Sequence, residues 1–302
     1  FVHLLLYAAI AGLVCCTGFL VLVVYSVVRF RFRPRFRPRG FTPPVTLLKP
    51  LCGLEPGLLE NLESFFRQDY PEFEIIFGAR TGDDPAIRLV EQLTAKYPKV
   101  PVKVVYSGEP DRPNAKVCSL ERMVRQAATD FYIISDSDVH VRPQYIREVV
   151  APLADAQVGL VSCLYRGVPT GGLWSRLEAL GMSVEMTSGV MVSNVVEEMN
   201  FALGPTMAAP REAVEKIGGV APLADYCADD YLLGNWIAEQ GYKVVIPDEV
   251  IDHIVLNRSF MASVRHQVRW MKSTRFSRPK GHLGTALTFA MPFGVLGLAR
   301  SE

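Results

Sequence analysis

Phe131-Tyr132-Ile133-Ile134-Ser135-Asp136-Ser137-Asp138 joins an apolar run of strand length to two aspartates one residue apart. The run reads as a buried strand. Working outward, residues 45–48, 74–79 and 102–106 read as further strands. Between them, Leu58, Leu59, Leu62, Phe65 and Phe66 recur at helical spacing. Residues 85–96 place Ile87, Val90 and Leu93 on one helix face, and a helix is expected over 115–128. Strands alternating with helices of this length predict an α/β fold whose mainly parallel sheet is covered on both faces. Such sheets take ligands at the carboxyl ends of their strands. The chain has neither G-x-G-x-x-G nor G-x-x-x-x-G-K-[ST], so dinucleotide and P-loop chemistry are not signalled. Acidic residues follow the strands instead.

Asp136 and Asp138 at the end of a buried strand point into that crevice. A D-x-D turn can hold a hard divalent cation through one or two carboxylates, leaving positions for water and phosphate oxygens. The competing reading is turn chemistry, in which Asp and Ser cap turns and helices. Asp83-Asp84-Pro85 follows the second strand. It is an ordinary helix start, with one aspartate as cap and the other free to face a nucleotide. Asp229-Asp230 opens a helix over 231–239, where the macrodipole favours acidic residues. A second carboxylate there can deprotonate an acceptor hydroxyl. His266, Arg269 and Trp270 are spaced i, i+3, i+4 on a helix expected over 259–275, so they share one face. Arg269 suits a phosphate and Trp270 an acceptor; a packed arginine–tryptophan pair is the structural alternative.

Before the α/β tract, residues 4–28 carry no charge. As a helix they would reach about 37 Å, enough to cross a hydrocarbon layer. A cleaved signal would have a shorter apolar core and a small-residue cleavage site. Six arginines alternate with aromatic residues and prolines between Arg29 and Arg39. Beside a span such a run resists translocation, which places it on the cytoplasmic side. Phe30, Phe32 and Phe36 suit the headgroup level and the arginines suit anionic lipid. A nucleic-acid arm is the rival reading, weakened by the adjoining span. A second uncharged stretch, 283–299, contains Pro292 and three glycines. It reads as a span, a re-entrant segment or an interfacial helix.

The chain has 302 residues, 49 % hydrophobic and 21 % charged, which excludes a disordered protein. Net charge is +1, so outside the arginine run the chain is acidic, unlike a nucleic-acid-binding domain. Six cysteines without C-x-x-C spacing signal neither a disulfide scaffold nor a zinc site. The first residue is Phe1 rather than methionine, which reads as a trimmed or partial sequence.

Taken in order, these pieces resemble the GT-A glycosyltransferases that use nucleotide-sugar donors. Within them, Leu47-Leu48-Lys49-Pro50-Leu51, Asn61-Leu62-Glu63-Ser64-Phe65-Phe66, Asp69-Tyr70-Pro71, Asp83-Asp84-Pro85-Ala86-Ile87, Asn114-Ala115-Lys116, Asp136-Ser137-Asp138, Asp229-Asp230-Tyr231 and Arg269-Trp270 are similar to the ceramide glucosyltransferase family. The resemblance runs from about residue 45 to 270. It implies a GT-A nucleotide-sugar-binding domain over 45–280, after a transmembrane helix over 1–28 and a basic juxtamembrane linker over 29–44. Residues 281–302 would begin a C-terminal membrane segment, since further membrane segments are usual in the family.

The resemblance implies roles as well. Asp84 would lie near the nucleotide, and Asp136 and Asp138 would hold Mg²⁺ or Mn²⁺ and the donor diphosphate. Lys116 would approach the diphosphate. Asp230 would be the general base, and Asp229, His266, Arg269 and Trp270 would contact acceptor or diphosphate. The implied reaction is inverting transfer of a hexose, glucose first, from a UDP-sugar to the hydroxyl of a membrane lipid, ceramide first, at the cytoplasmic leaflet.

Three features depart from that pattern or redirect it. His266 stands where the family's (Q/R)-x-x-R-W signature has Gln or Arg, and neighbouring Arg265 is turned about 100° away on a helix. Val184 stands where the animal ceramide enzymes carry a histidine. Residues 163–177 resemble hopanoid-linked bacterial members, which implies an N-acetylglucosamine donor and a hopanoid acceptor. Rivals of other kinds are a non-catalytic lipid-binding membrane protein, a processive polysaccharide synthase and a metal-dependent phosphohydrolase. The synthase would need a multi-span channel, and the phosphohydrolase more metal ligands than the two on offer.

Overall fold

The structure is a computed structural model and describes residues 2–38, 40–257 and 259–298; Arg39 of the basic run and Ala299 of the second apolar stretch lie outside them. The chain divides into two compact units. One comprises residues 35–185 and 199–263 and carries the α/β sheet. The other comprises residues 1–34, 186–198 and 264–302, and the elements among its described residues are helices.

In chain order the elements begin with α1 (Val2–Arg31), β1 (Val45–Pro50), α2 (Leu58–Phe66), β2 (Phe73–Ala79), α3 (Ala86–Lys96), β3 (Val102–Tyr106), α4 (Ala115–Val124) and β4 (Phe131–Ser135). They continue with β5 (Val139–His140), α5 (Tyr145–Val150), β6 (Val158–Ser162), β7 (Leu164–Pro169), α6 (Gly172–Gly181) and α7 (Thr187–Val196). The remainder is β8 (Thr206–Pro210), α8 (Arg211–Lys216), α9 (Asp229–Glu239), β9 (Lys243–Val245), β10 (Val250–Val255), α10 (Phe260–Ser277), α11 (Pro279–Thr285) and α12 (Ala290–Leu298).

The main sheet has the order β3-β2-β1-β4-β8-β6-β9, with β8 antiparallel to its neighbours β4 and β6 and the other pairs parallel. This is the expected α/β architecture, and the reason is burial. Leu47, Leu48, Ile75, Ile76, Phe77 and Ile133 are closed off on both sheet faces, and such strands must read as continuous apolar runs. The helix expected over 115–128 ends sooner, at Val124. The Ala128 N–H donates to the Glu74 carboxylate of β2 at 2.8 Å, which ties the chain to the sheet before β4.

A smaller sheet, β5-β10-β7, lies in the same unit. Its strand β5 follows directly on Asp138. β10 runs antiparallel beside β5, so His253 pairs with Val139 and the Ile254 N–H donates to the Asp138 carbonyl at 2.8 Å. That register brings a strand from residue 250 onward alongside the D-x-D turn.

In the helical unit, α1 packs against α7 and α12. Residues 5–31 of α1 and the Pro279–Leu298 tract are each long and apolar enough to cross a membrane. The second tract is two helices, α11 and α12, separated at residues 286–289. All six cysteines are free thiols.

Candidate functional site

The carboxyl ends of β1, β2 and β4, with the starts of α4 and α9, build one charged rim in the sheet-bearing unit. The D-x-D turn follows β4. Its backbone is held from below by Lys49, which is fully buried on β1 although it carries an amine. Lys49 Nζ donates to the Asp136 carbonyl and, at 3.3 Å, to Ser135 Oγ; it also lies 3.7 Å from the Phe65 ring centroid. Burial lowers its pKa to about 7, against the opposing pull of Asp136, Asp138 and Glu55.

Lys116 in the first turn of α4 lies 2.7 Å from Asp136 Oδ1 and 3.8 Å from Asp229 Oδ2. Burial alone would lower its pKa; the Asp136 and Asp229 carboxylates outweigh it and hold the ammonium firmly charged. Asn114 fixes this lysine's helix. Its Oδ1 accepts from the Val117 N–H at 3.2 Å, the usual N-cap bond, while its Nδ2 donates to Asp229 Oδ1 at 3.1 Å and to the Tyr226 carbonyl at 2.9 Å. Asn114-x-Lys116 thus clamps the start of α4 to the start of α9.

Asp230, one residue on, turns its Oδ2 to the Gly204 N–H at 2.8 Å. A methyl group on Gly204 would sit 3.1 Å from Asp230 Oδ2 and 3.7 Å from Asp136 Oδ2, so the two carboxylates converge on this bare backbone. Loss of solvent and the neighbouring Asp229 push the Asp230 pKa up to about 6, and Lys116 opposes them. A carboxylate with that affinity for protons is a better base than an exposed aspartate and remains ionised at neutral pH.

Asp138 sits deeper. Its Oδ2 lies 3.6 Å from His253 Nε2, while its Oδ1 and His253 Nδ1 are buried without a hydrogen-bond partner. Burial raises its pKa, with the neighbouring His253 opposing that shift. Glu55 lies nearby and accepts from Ser137 Oγ at 3.0 Å; burial raises its pKa as well. Among the described residues no group of three or more His, Cys, Asp or Glu side chains forms a ready metal cage. The orphaned Asp138 Oδ1 and the Asp136 carboxylate nonetheless suit an octahedral cation that takes its remaining ligands from water and phosphate.

Asp84 is bound otherwise. Its carboxylate accepts from the Gly53 N–H at 3.0 Å and from the Ala86 N–H at 2.9 Å, which ties the loop after β1 to the first turn of α3. Asp83 receives the Thr81 hydroxyl. His266, Arg269 and Trp270 all lie on α10, in the portion that belongs to the helical unit, with the His266 and Trp270 rings 4.6 Å apart. The sheet-bearing unit therefore brings together Lys116, Asp136, Asp138, Asp229 and Asp230.

Sequence reasoning missed His253, Lys49 and Gly204 as contributors. A histidine inside the apolar strand Val-Ile-Asp-His-Ile-Val and a lysine inside Val-Thr-Leu-Leu-Lys-Pro were the available signals. Gly204 had none, because its role depends on the approach of two distant carboxylates.

The model of glycosyl transferase family 21 matches residues 9–302. Ceramide glucosyltransferase 3 of Caenorhabditis elegans is 26 % identical over 295 residues, covering 95 % of this chain and 63 % of its own length. The ceramide glucosyltransferase of Komagataella phaffii is 40 % identical over 101 residues, 32 % of this chain and 20 % of its own length. The chain thus spans less than two thirds of the curated relatives it matches. Among solved structures, the mannosyltransferase PcManGT from Pyrobaculum calidifontis, in complex with GDP-Man and Mn²⁺, superposes with a TM-score of 0.69 at 20 % identity. That match covers 100 % of this chain and 87 % of the other. S. aureus TarS 1-349 in complex with UDP-GlcNAc superposes with a TM-score of 0.52 at 15 % identity, over 78 % and 65 % of the two chains. The α/β sheet is that of the GT-A glycosyltransferases, and the chain belongs to glycosyl transferase family 21.

Proposed function

We propose that this protein is an inverting hexosyltransferase that moves glucose from UDP-glucose to the hydroxyl of a membrane lipid, ceramide, at the cytoplasmic leaflet. The observation that carries the reading is the convergence of Lys116, Asp136, Asp138 and Asp230 at one end of the sheet. The names of the curated relatives support the acceptor, and the nucleotide-sugar complexes of the GT-A neighbours support the donor.

The donor diphosphate meets Lys116, whose ammonium is already held at the rim by Asp136 and Asp229. Asp136 and Asp138 would hold Mg²⁺ or Mn²⁺ there, with His253 beside Asp138. When bound, such a cation supplies Lewis-acid stabilisation of the departing UDP. Asp230 takes the proton from the acceptor hydroxyl as that oxygen attacks the anomeric carbon from the face opposite the leaving group. Gly204 orients Asp230 by donating to Oδ2, which leaves Oδ1, bonded to the Tyr231 N–H at 2.8 Å, with its second lone pair for that proton. Asp84 sets the loop beside the nucleotide. The basic, aromatic collar and α1 keep the protein at the lipid that it glycosylates.

Residues 163–177, which form β7 and most of α6, favour a second reading: an N-acetylglucosamine donor with a hopanoid acceptor. Incubating the protein with UDP-glucose, UDP-galactose and UDP-N-acetylglucosamine, against ceramide and hopanoid acceptors in turn, tests both. Glucosylceramide alone is the expected product. A hopanoid product assigns the second reading, and the absence of any glycolipid product overturns the proposal.

A further inference from the structure

A run of polar groups lies inside the sheet-bearing unit, beneath the carboxylate rim. Lys49, Ser135, Tyr145 and Thr206, on β1, β4, α5 and β8, are all fully buried. Four polar side chains gathered in an apolar interior carry a desolvation cost that only hydrogen bonds offset, so where those bonds lead is informative.

The direction of each bond is fixed from the two ends. An ammonium can only donate and a carbonyl can only accept. Lys49 Nζ donates to Ser135 Oγ at 3.3 Å. At the far end, Thr206 Oγ1 donates to the Pro205 carbonyl at 2.8 Å. The Thr206 proton is thereby used, so in the 3.1 Å contact between Tyr145 and Thr206 the phenol is the donor. Ser135 is the phenol's other hydrogen-bonding neighbour, and its proton is the one left to meet the phenol oxygen. The Tyr145 ring makes an edge contact with Phe65, centroids 5.6 Å apart, and Phe65 also carries Lys49 on its face.

Both ends of this chain close on the backbone of Asp136. Lys49 donates to the Asp136 carbonyl, and the Asp136 N–H donates to the Pro205 carbonyl at 3.4 Å. Pro205 follows Gly204, whose N–H holds Asp230 Oδ2. On the other side of Gly204, the Leu203 N–H donates to buried Ser162 Oγ at 2.7 Å. One ring of bonds therefore fixes the backbone that presents Asp136 and the backbone that orients Asp230.

We propose that Tyr145 is a positioning residue whose hydroxyl links the Lys49–Ser135 pair under the D-x-D turn to the Thr206–Pro205 pair beside Gly204, so that Asp136 and Asp230 face the same space. The inference rests on the proposed transfer reaction, in which Asp136 serves the donor and Asp230 the acceptor. Phenylalanine at 145 would fill the same volume and break the ring at its middle. Lys49 would stay on the Asp136 carbonyl while the turn at 203–206 is released. The loss therefore falls on the orientation of Asp230, a rate effect, and spares donor binding.

The test uses the full chain reconstituted in phosphatidylcholine vesicles. Amide hydrogen exchange is read by mass spectrometry without substrates, and transfer is read with UDP-glucose and ceramide. In Tyr145→Phe, exchange over residues 203–207 should quicken by about fivefold, the worth of one ordinary hydrogen bond, while that over β1 keeps the parent rate. Its kcat should fall by about tenfold with KM for the donor within about twofold. Thr206→Val, which breaks the next link, should reproduce both effects, and Thr206→Ser, which keeps the hydroxyl, should stay at the parent values. That pair decides the matter if Tyr145→Phe does not fold. Unchanged local exchange overturns the proposal, as does an unchanged kcat in a parent that transfers glucose. So does an equal loss in Thr206→Val and Thr206→Ser, or exchange quickened throughout the sheet, which assigns these side chains to stability alone. A parent that forms no glycolipid yet shows the local exchange pattern removes the transfer reading and leaves the brace standing.

Discussion

The carboxylate of Asp230 and the backbone N–H of Gly204 are joined by a 2.8 Å hydrogen bond. The bond aims a carboxylate from the start of α9 at the turn that precedes β8, the strand paired with the one carrying the D-x-D aspartates. The absence of a side chain at 204 lets Asp230 and Asp136 face the same space. Gly204→Ala would place a methyl 3.1 Å from Oδ2, tighter than the carboxylate can accept without moving a few tenths of an ångström. Small displacements of a reacting group are costly in rate, so kcat/KM should fall by about tenfold with the melting temperature little changed. Steady-state kinetics with calorimetric melting checks both.

Asp230→Asn keeps the shape of the side chain and removes the base. The rate should fall by about 10²–10⁴-fold, with donor affinity preserved.

The pH dependence follows from the raised pKa. As pH falls through about 6, Asp230 gains a proton and can no longer accept one. The rate profile should therefore show an acid limb near that value rather than near that of an exposed aspartate. In the Asp230→Asn variant the residual rate should lose this limb.

Lys49→Met tests the buried amine. Losing the donor leaves the Asp136 carbonyl and Ser135 Oγ without this partner, a cost of about 1–3 kcal/mol for each group left unsatisfied. The native amine titrates at about 7, below its ordinary value of 10.5, so between those values the unfolded chain binds more protons than the folded one. Stability of the unsubstituted protein should therefore rise with pH across that window. Lys49→Met should flatten that contribution, which denaturant titrations at successive pH values measure.

The parallel half of the sheet was legible because both of its faces are buried. Val45, Leu47, Ile75 and Ile133 are closed off, and the alternation with amphipathic helices fixes their order. The carboxylates were legible for a related reason, since each follows an element end. The strands after Ser135 were not. β8 reads Thr-Met-Ala-Ala-Pro, with little β-branched character, and it becomes a strand only between β4 and β6. His253 escaped notice because its role depends on the pairing of β10 with β5, more than a hundred residues earlier.

His253→Ala removes the ring whose Nε2 faces Asp138 Oδ2 at 3.6 Å. Mn²⁺-dependent UDP affinity should weaken by more than about tenfold, while the fold persists, since metal-site partners commonly carry 10–100-fold of affinity.

The central claim is that the D-x-D turn holds a cation and a nucleoside diphosphate at this rim. Isothermal titration of UDP into the intact protein and into Asp138→Ala, with and without Mn²⁺, addresses it directly. Binding that requires Mn²⁺ in the intact protein and vanishes in a folded Asp138→Ala variant is the predicted result; equal UDP affinity in both proteins, indifferent to the cation, would contradict the account.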